Sequence, residues 1–116
     1  MRHHNKNRKF NRKTNVRRAL MVSLARELFL HGKIVTTDAK ARSLRPYAEK
    51  LITTAKQGGM IASRKLAEKM QNNPIVPKLV DVIAAKYMER AGGYTRITKM
   101  ERRMSDGSYM ATIELV

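Results

Sequence analysis

Eight Lys and Arg side chains stand within the first 18 residues: Arg2, Lys6, Arg8, Lys9, Arg12, Lys13, Arg17 and Arg18. No Asp or Glu precedes Glu27. Cations at this density repel one another until a polyanion neutralises them. The chemistry they offer is phosphate binding with counterion release. Asn5, Asn7, Asn11 and Asn15 add uncharged donors and acceptors suited to sugars, phosphates and base edges. Before Val16 the only large apolar residues are Met1 and Phe10. Such a segment cannot bury enough apolar surface to offset its ordering entropy, so by itself it is expected to be disordered. A merely solvated tail is the bland alternative. Solvation alone does not require so complete an exclusion of acids.

Other chemistries find little support. The chain has no Cys, so thiolate zinc sites, disulfides and thiol nucleophiles are excluded. His3 and His4 lie in the basic segment and could hydrogen-bond RNA. His31 reads as a helix-end residue. The three do not make a metal site. The acids are scattered singly, with no pair for acid–base work, and the Ser residues lack a nucleophile-elbow context. No catalysis, no cofactor and no small-molecule substrate are expected. No apolar run is long enough to span a membrane, and no apolar stretch follows the basic start as a secretory signal requires. The formal net charge is +16 over 116 residues. Half of that charge lies beyond the first 18 residues, so the remainder is basic too. Polyanionic partners are implied, either nucleic acid or an anionic membrane surface.

The remaining residues must form the body that positions these groups. Thr14 and Asn15 can cap a helix. Val16, Leu20, Leu24 and Leu28, with Met21, Ala25 and Phe29, give it one apolar face, and His31-Gly32 closes it. The β-branched run Lys33 to Thr37 predicts a strand. Asp38 can cap the next helix, lined by Ala41, Leu44, Ala48, Leu51, Ile52 and Ala55. Pro46 is expected to kink or briefly break that helix near Arg42. A short helix from Ile61 to Met70 turns Arg64, Lys65 and Lys69 outward. A further helix from Ile75 to about Lys86 carries Val76, Leu79, Val80, Ile83 and Ala84. Tyr87 to Ala91 is ambiguous. Tyr94 to Met104 and Tyr109 to Val116 alternate as two strands of a hairpin, joined at Ser105-Asp106-Gly107-Ser108. The expected order is α-β-α-α-α-β-β. The expected fold class is α+β: a two-layer α/β body, a small mixed sheet with helices packed on one face, plus the basic N-terminal arm.

Gly92-Gly93 admits two readings. It could cradle a phosphate near Arg90, Tyr94 and Arg96, or it could simply reverse the chain between helix and strand. Tyr94 likewise could stack on an unpaired base or belong to the core. The eight Met residues are most simply core filler.

The run Arg90-Ala91-Gly92-Gly93-Tyr94-Thr95-Arg96-Ile97 resembles the signature of a bacterial family, the seventeenth ribosomal protein of the large subunit. The likeness extends along the chain. It takes in Met1-Arg2-His3, Asn11-Arg12, His31 to Thr37, Ala39 to Arg45, Leu51 to Lys56 and Ala111 to Val116. Val16 departs from it, standing where the family commonly has a His, so no RNA contact is carried over to that position. The resemblance implies a two-layer α/β fold and a structural role in the large subunit. It also implies direct binding to ribosomal RNA, and a place on the solvent side near the peptide exit.

The reading is a basic arm over residues 1–14 and one globular α/β domain over residues 15–116. The expected function is that of a structural constituent of the large ribosomal subunit, cytoplasmic, in the ribosome. Its expected partners are ribosomal RNA and neighbouring ribosomal proteins, with no membrane. Candidate RNA-binding residues in the arm are Arg2, His3, Lys6, Arg8, Lys9, Asn11, Arg12 and Lys13. In the body they are Arg17, Arg18, Lys40, Arg42, Arg45, Arg90, Gly92, Gly93, Tyr94, Thr95 and Arg96. Rival readings are a free architectural nucleic-acid-binding protein, an RNA-processing enzyme and a membrane-surface binder. The first lacks any recognised DNA-reading motif. The second lacks a catalytic set. The third lacks a basic amphipathic face with Trp anchors.

Overall fold

The computed structural model describes residues 3–116. The expectation for Arg2 therefore lies outside the described residues. Helix α1 spans Thr14–His31. It starts without the expected side-chain cap: Lys13 is the N-cap residue, and Asn15 instead accepts a hydrogen bond from the Val16 N–H at 2.9 Å. Gly32 ends the helix at φ 77°, its N–H bonded to the Leu28 carbonyl at 2.7 Å.

The buried face of α1 differs from the expected one. Val22, Ala25, Leu28 and Phe29 are buried, whereas Val16 is 48 % exposed. Only the second half of α1 lies over the core. In its first turns Val16 is exposed and Leu20 and Met21 are only half-buried, so the apolar spacing there extends past the face that packs.

Strand β1 is Lys33–Thr37. Helix α2, Asp38–Gln57, follows directly. Its cap is Thr37, not Asp38: the Thr37 hydroxyl accepts from the Lys40 N–H. Asp38 sits in the first turn, where a negative charge complements the helix dipole, and pairs with Arg42 at 3.0 Å. All six expected apolar residues of α2 are buried. The helix runs unbroken past Pro46, which lies on its exposed side.

Helix α3 is Gly59–Lys69, with Ala62 and Leu66 inward and Arg64, Lys65 and Lys69 exposed. Gln71 and Asn72 turn the chain with φ of 53° and 57°. Helix α4 is one helical run over residues 76–86. An α turn at Val76–Lys78 passes into a π segment, Leu79–Ile83, and returns to α at Ala84–Lys86. The wider π turn accompanies burial of Val76, Leu79, Ile83 and Ala84. After α4, Tyr87 is buried. Its ring lies 5.2 Å from that of Tyr94, and its hydroxyl donates to the Val116 carbonyl at 2.7 Å.

Strands β2, Thr95–Lys99, and β3, Met110–Leu115, complete the fold. The expected first strand of the hairpin stops five residues before Met104. Residues 100–109 form a loop instead, in which Arg103 pairs with Asp106 at 2.7 Å. The sheet order is β1-β3-β2, with both pairings antiparallel. The expected mixed sheet is thus antiparallel throughout. β3 enters between β1 and β2, which run the same way but never pair. Helices α1 and α2 cover one face, over Ala111, Ile113 and Ile97. Val35 and Arg96 lie exposed, in keeping with an α+β two-layer body.

Candidate nucleic-acid interface

The arm does not extend away from the body. Residues 3–13 fold back by local turns: the Arg12 N–H donates to the Lys9 carbonyl at 3.1 Å, and Phe10 and Asn11 have φ of 52° and 54°. Arg8 reaches α2, where its guanidinium donates to the Ser43 hydroxyl at 3.3 Å. Arg17 donates back to the Arg12 carbonyl at 3.3 Å.

Between this arm and the helices runs a groove of about 1050 Å³. Lys6, Asn7, Arg8 and Phe10 form its arm side, and Arg17, Arg18 and Met21 its α1 side. Arg42, Ser43, Tyr47 and Lys50 line it from α2. Lys69 closes it from α3, and Glu68 is the one acid in the lining. The lining therefore carries seven Lys or Arg against a single carboxylate. A concave wall with that imbalance focuses positive potential, which attracts phosphate.

A second, shallower concavity of about 470 Å³ lies beside the first, near Gly92. The two share Pro46, Lys50 and Lys69. One basic surface therefore leads from the arm along α2 towards the Gly92 turn. Lys50 and Lys69 join the two parts, and sequence reasoning did not single out either as a binding residue. Their outward placement on α2 and α3 was readable from helical spacing. Their convergence on one groove was not.

The other candidates are distributed as follows. His3, Lys6, Arg8, Lys9, Asn11, Arg12, Lys13 and Arg18 are exposed, and Arg17 is half-buried. Lys40 is half-buried in the first turn of α2. Arg42 and Arg45 are exposed but carry acids beside them. Arg42 pairs with Asp38, and Arg45 lies 3.7 Å from Glu49 while also donating to the Thr95 carbonyl at 3.4 Å.

The Gly92-Gly93 region is a chain reversal. Gly93 has φ 63°, and Arg90 folds back to donate to the Gly92 carbonyl at 3.1 Å. The turn does not gather Arg90, Tyr94 and Arg96 around one point. Tyr94 is turned into the core and is 1 % exposed, so its ring faces offer no platform to a base arriving from solvent. Its hydroxyl accepts from Lys56 at 2.9 Å and donates to the Arg90 carbonyl at 3.2 Å. The Lys56 hydrogen bond holds the phenol below its ordinary pKa. Thr95 is also buried, its hydroxyl donating to Glu49 at 2.9 Å. Arg96 is exposed and lies 3.6 Å from Glu114.

Among the described residues no cluster of His, Cys, Asp or Glu could hold a metal ion, and no helix is long and apolar enough to cross a membrane.

The sequence profile described as ribosomal protein L17 matches residues 20–116. Similar curated proteins cover the whole chain, arm included. A large ribosomal subunit protein bL17 from Trichlorobacter lovleyi is 44 % identical over 116 residues, which span 94 % of that protein. Proteins of the same description from Pelobacter propionicus and Erythrobacter litoralis are 46 % and 47 % identical over 100 % of this chain, covering 91 % and 83 % of their own lengths. With a profile match over most of its length and relatives this similar from end to end, the chain belongs to the ribosomal protein L17 family.

Proposed function

We propose that this structural protein of the large ribosomal subunit holds ribosomal RNA through its N-terminal arm, residues 1–14, and the basic groove that the arm forms with α1, α2 and α3. The protein is not an enzyme, and its place is the ribosome, in the cytoplasm. The observation that carries the proposal is the groove lining, where seven cations face one acid. Each phosphate bound there releases condensed counterions, and that release drives association. The folded domain, residues 15–116, fixes where the arm enters the RNA. Phosphate contacts of this kind position a protein without reading sequence. Lys9, Arg12, Lys13, Lys40, Arg90 and Arg96 supply further contacts outside the groove. Neighbouring proteins of the large subunit are the remaining partners.

The test is mass spectrometry of salt-washed large subunits, together with sedimentation of a cell extract. Stoichiometric presence in the large-subunit particle is the expected result. Migration with the nucleoid or as free protein would instead favour an architectural nucleic-acid-binding role.

A further inference from the structure

The groove is not only basic. Phe10, the one aromatic residue of the arm, is half-buried and lines it together with Tyr47 and Met21 of the body. The Tyr47 hydroxyl is tied to the Lys69 carbonyl at 2.9 Å, which fixes its ring against the end of α3. Cations arranged along an aromatic-lined cleft are what single-stranded nucleic acid requires: backbone charge is met at the rim and a base finds a flat face inside. A duplex keeps its bases stacked and presents only phosphates and sugar edges. It would rest on the rim cations and leave the aromatic interior uncovered.

We infer that this groove takes an unpaired stretch of RNA, with phosphates on Lys6, Arg17, Lys50 and Lys69 and a base against Phe10. The inference rests on the RNA-binding reading above and adds the class of RNA and the residues that select it. The charge of the lining argues for the occupant, since a protein segment would need to be strongly acidic to match it. The arm supplies one wall and the body the other, so the strand lies between two parts of the same chain. Arg8, held on Ser43, closes the arm over it.

The test uses the full chain and fluorescence anisotropy. One probe is a labelled RNA strand of about ten nucleotides, a length within the usual range for one such groove. The other is the same strand annealed to its complement, at the same salt. The strand is expected to bind more tightly than the duplex. Phe10→Leu is expected to weaken strand binding roughly five- to a hundredfold, the range for loss of one stacked base, and to leave duplex binding unchanged. Phe10→Tyr restores it. A double variant, Lys50→Gln with Lys69→Gln, should lower strand affinity and flatten the log–log salt dependence by roughly one to two units. Circular dichroism checks that each variant is folded. A duplex bound as tightly as the strand would overturn the inference, as would unaltered strand binding by both Phe10→Leu and the double Lys variant. Either result, with the chain still present in large subunits, leaves the ribosomal role standing. Absence from large subunits is the separate failure of that role.

Discussion

The Lys56 ammonium donates to the Tyr94 hydroxyl at 2.9 Å and also to the Arg90 carbonyl. A residue in the last turn of α2 thereby ties down the start of β2 and the turn before it. Lys56 also lies 5.1 Å from the centre of the Tyr94 ring, and the Tyr87 ring packs against the other aromatic at an interplanar angle of 59°. The residues from Arg90 to Tyr94 therefore join α2 to the start of β2.

Replacing Tyr94 should act on stability before it acts on RNA. Tyr94→Phe keeps the ring and removes the hydroxyl that links Lys56 to Arg90, at an expected cost of about 1–3 kcal/mol. Tyr94→Ala empties a core site and should cost about 3–5 kcal/mol. Urea denaturation measures both. A stable Tyr94→Ala protein with weakened RNA binding would return Tyr94 to the interface.

Gly93 should resist β-branched replacement for a backbone reason alone. Its φ is 63°, and a Cβ there would meet nothing within 4 Å. Space is available, so the penalty is conformational. Gly93→Val should destabilise by about 1–3 kcal/mol, whereas Gly93→Asn should cost distinctly less, because Asn tolerates the left-handed region. Thermal unfolding of the two variants side by side tests this, and equal stability of Val and Asn proteins would refute it.

Deleting residues 1–13 should leave the body folded. Its buried residues begin at Val22, and in the described arm only Phe10 is partly covered. The deletion removes Arg2, Lys6, Arg8, Lys9, Arg12 and Lys13. If most of these engage phosphates, the slope of log affinity against log salt should flatten by roughly 3 to 5 units. Binding to an rRNA fragment over a salt series gives the slope, with circular dichroism as the control for folding.

The loop between β2 and β3 should be acid-resistant. Hydrogen bonds from Arg103, then from Ser108, hold the Asp106 carboxyl well below the usual carboxylate range. A carboxylate whose pKa is depressed by folding contributes stability above its unfolded value, near 3.9. It loses that contribution only as pH falls through the lower, folded value. NMR titration of side-chain carboxyl carbons should therefore find Asp106 still ionised near pH 3.9, about the pKa of an unperturbed Asp. In Asp106→Asn protein the loop amides should shift even at neutral pH. A midpoint for Asp106 at the ordinary Asp value would mean the Arg103 contact does not persist in solution.

Several elements could be read from local spacing because their physics is local. The apolar positions of α2 recur with the helical period, and all six are buried. Gly32 follows the end of α1 and Gly93 stands just before β2, and both take positive φ, which needs no partner from elsewhere. The concentration of Lys and Arg before Glu27 announces a polyanionic partner whatever the fold. The outward placement of Arg64, Lys65 and Lys69 on α3 followed from periodicity in the same way.

Other features depend on what packs against them, and no spacing rule encodes that. The apolar residues of α1 outnumber those that find a core, so which of them are buried was decided by where α2 and the sheet end. β3 lies between β1 and β2 because the last strand in sequence fills the centre of the sheet, and that made the sheet antiparallel throughout. Tyr94 had two open readings as a strand residue. Packing against the Tyr87 ring and the hydrogen bond from Lys56 chose the core. The groove is the clearest case. Lys6, Arg17, Lys50 and Lys69 belong to four different segments, and only folding sets their charges around one cavity. The sequence by itself determined that this protein is strongly basic and that its charge is densest at the N-terminus, because charge is additive along a chain. The tertiary structure decided where those charges gather, because the position of a charge in space is set by the packing of everything between.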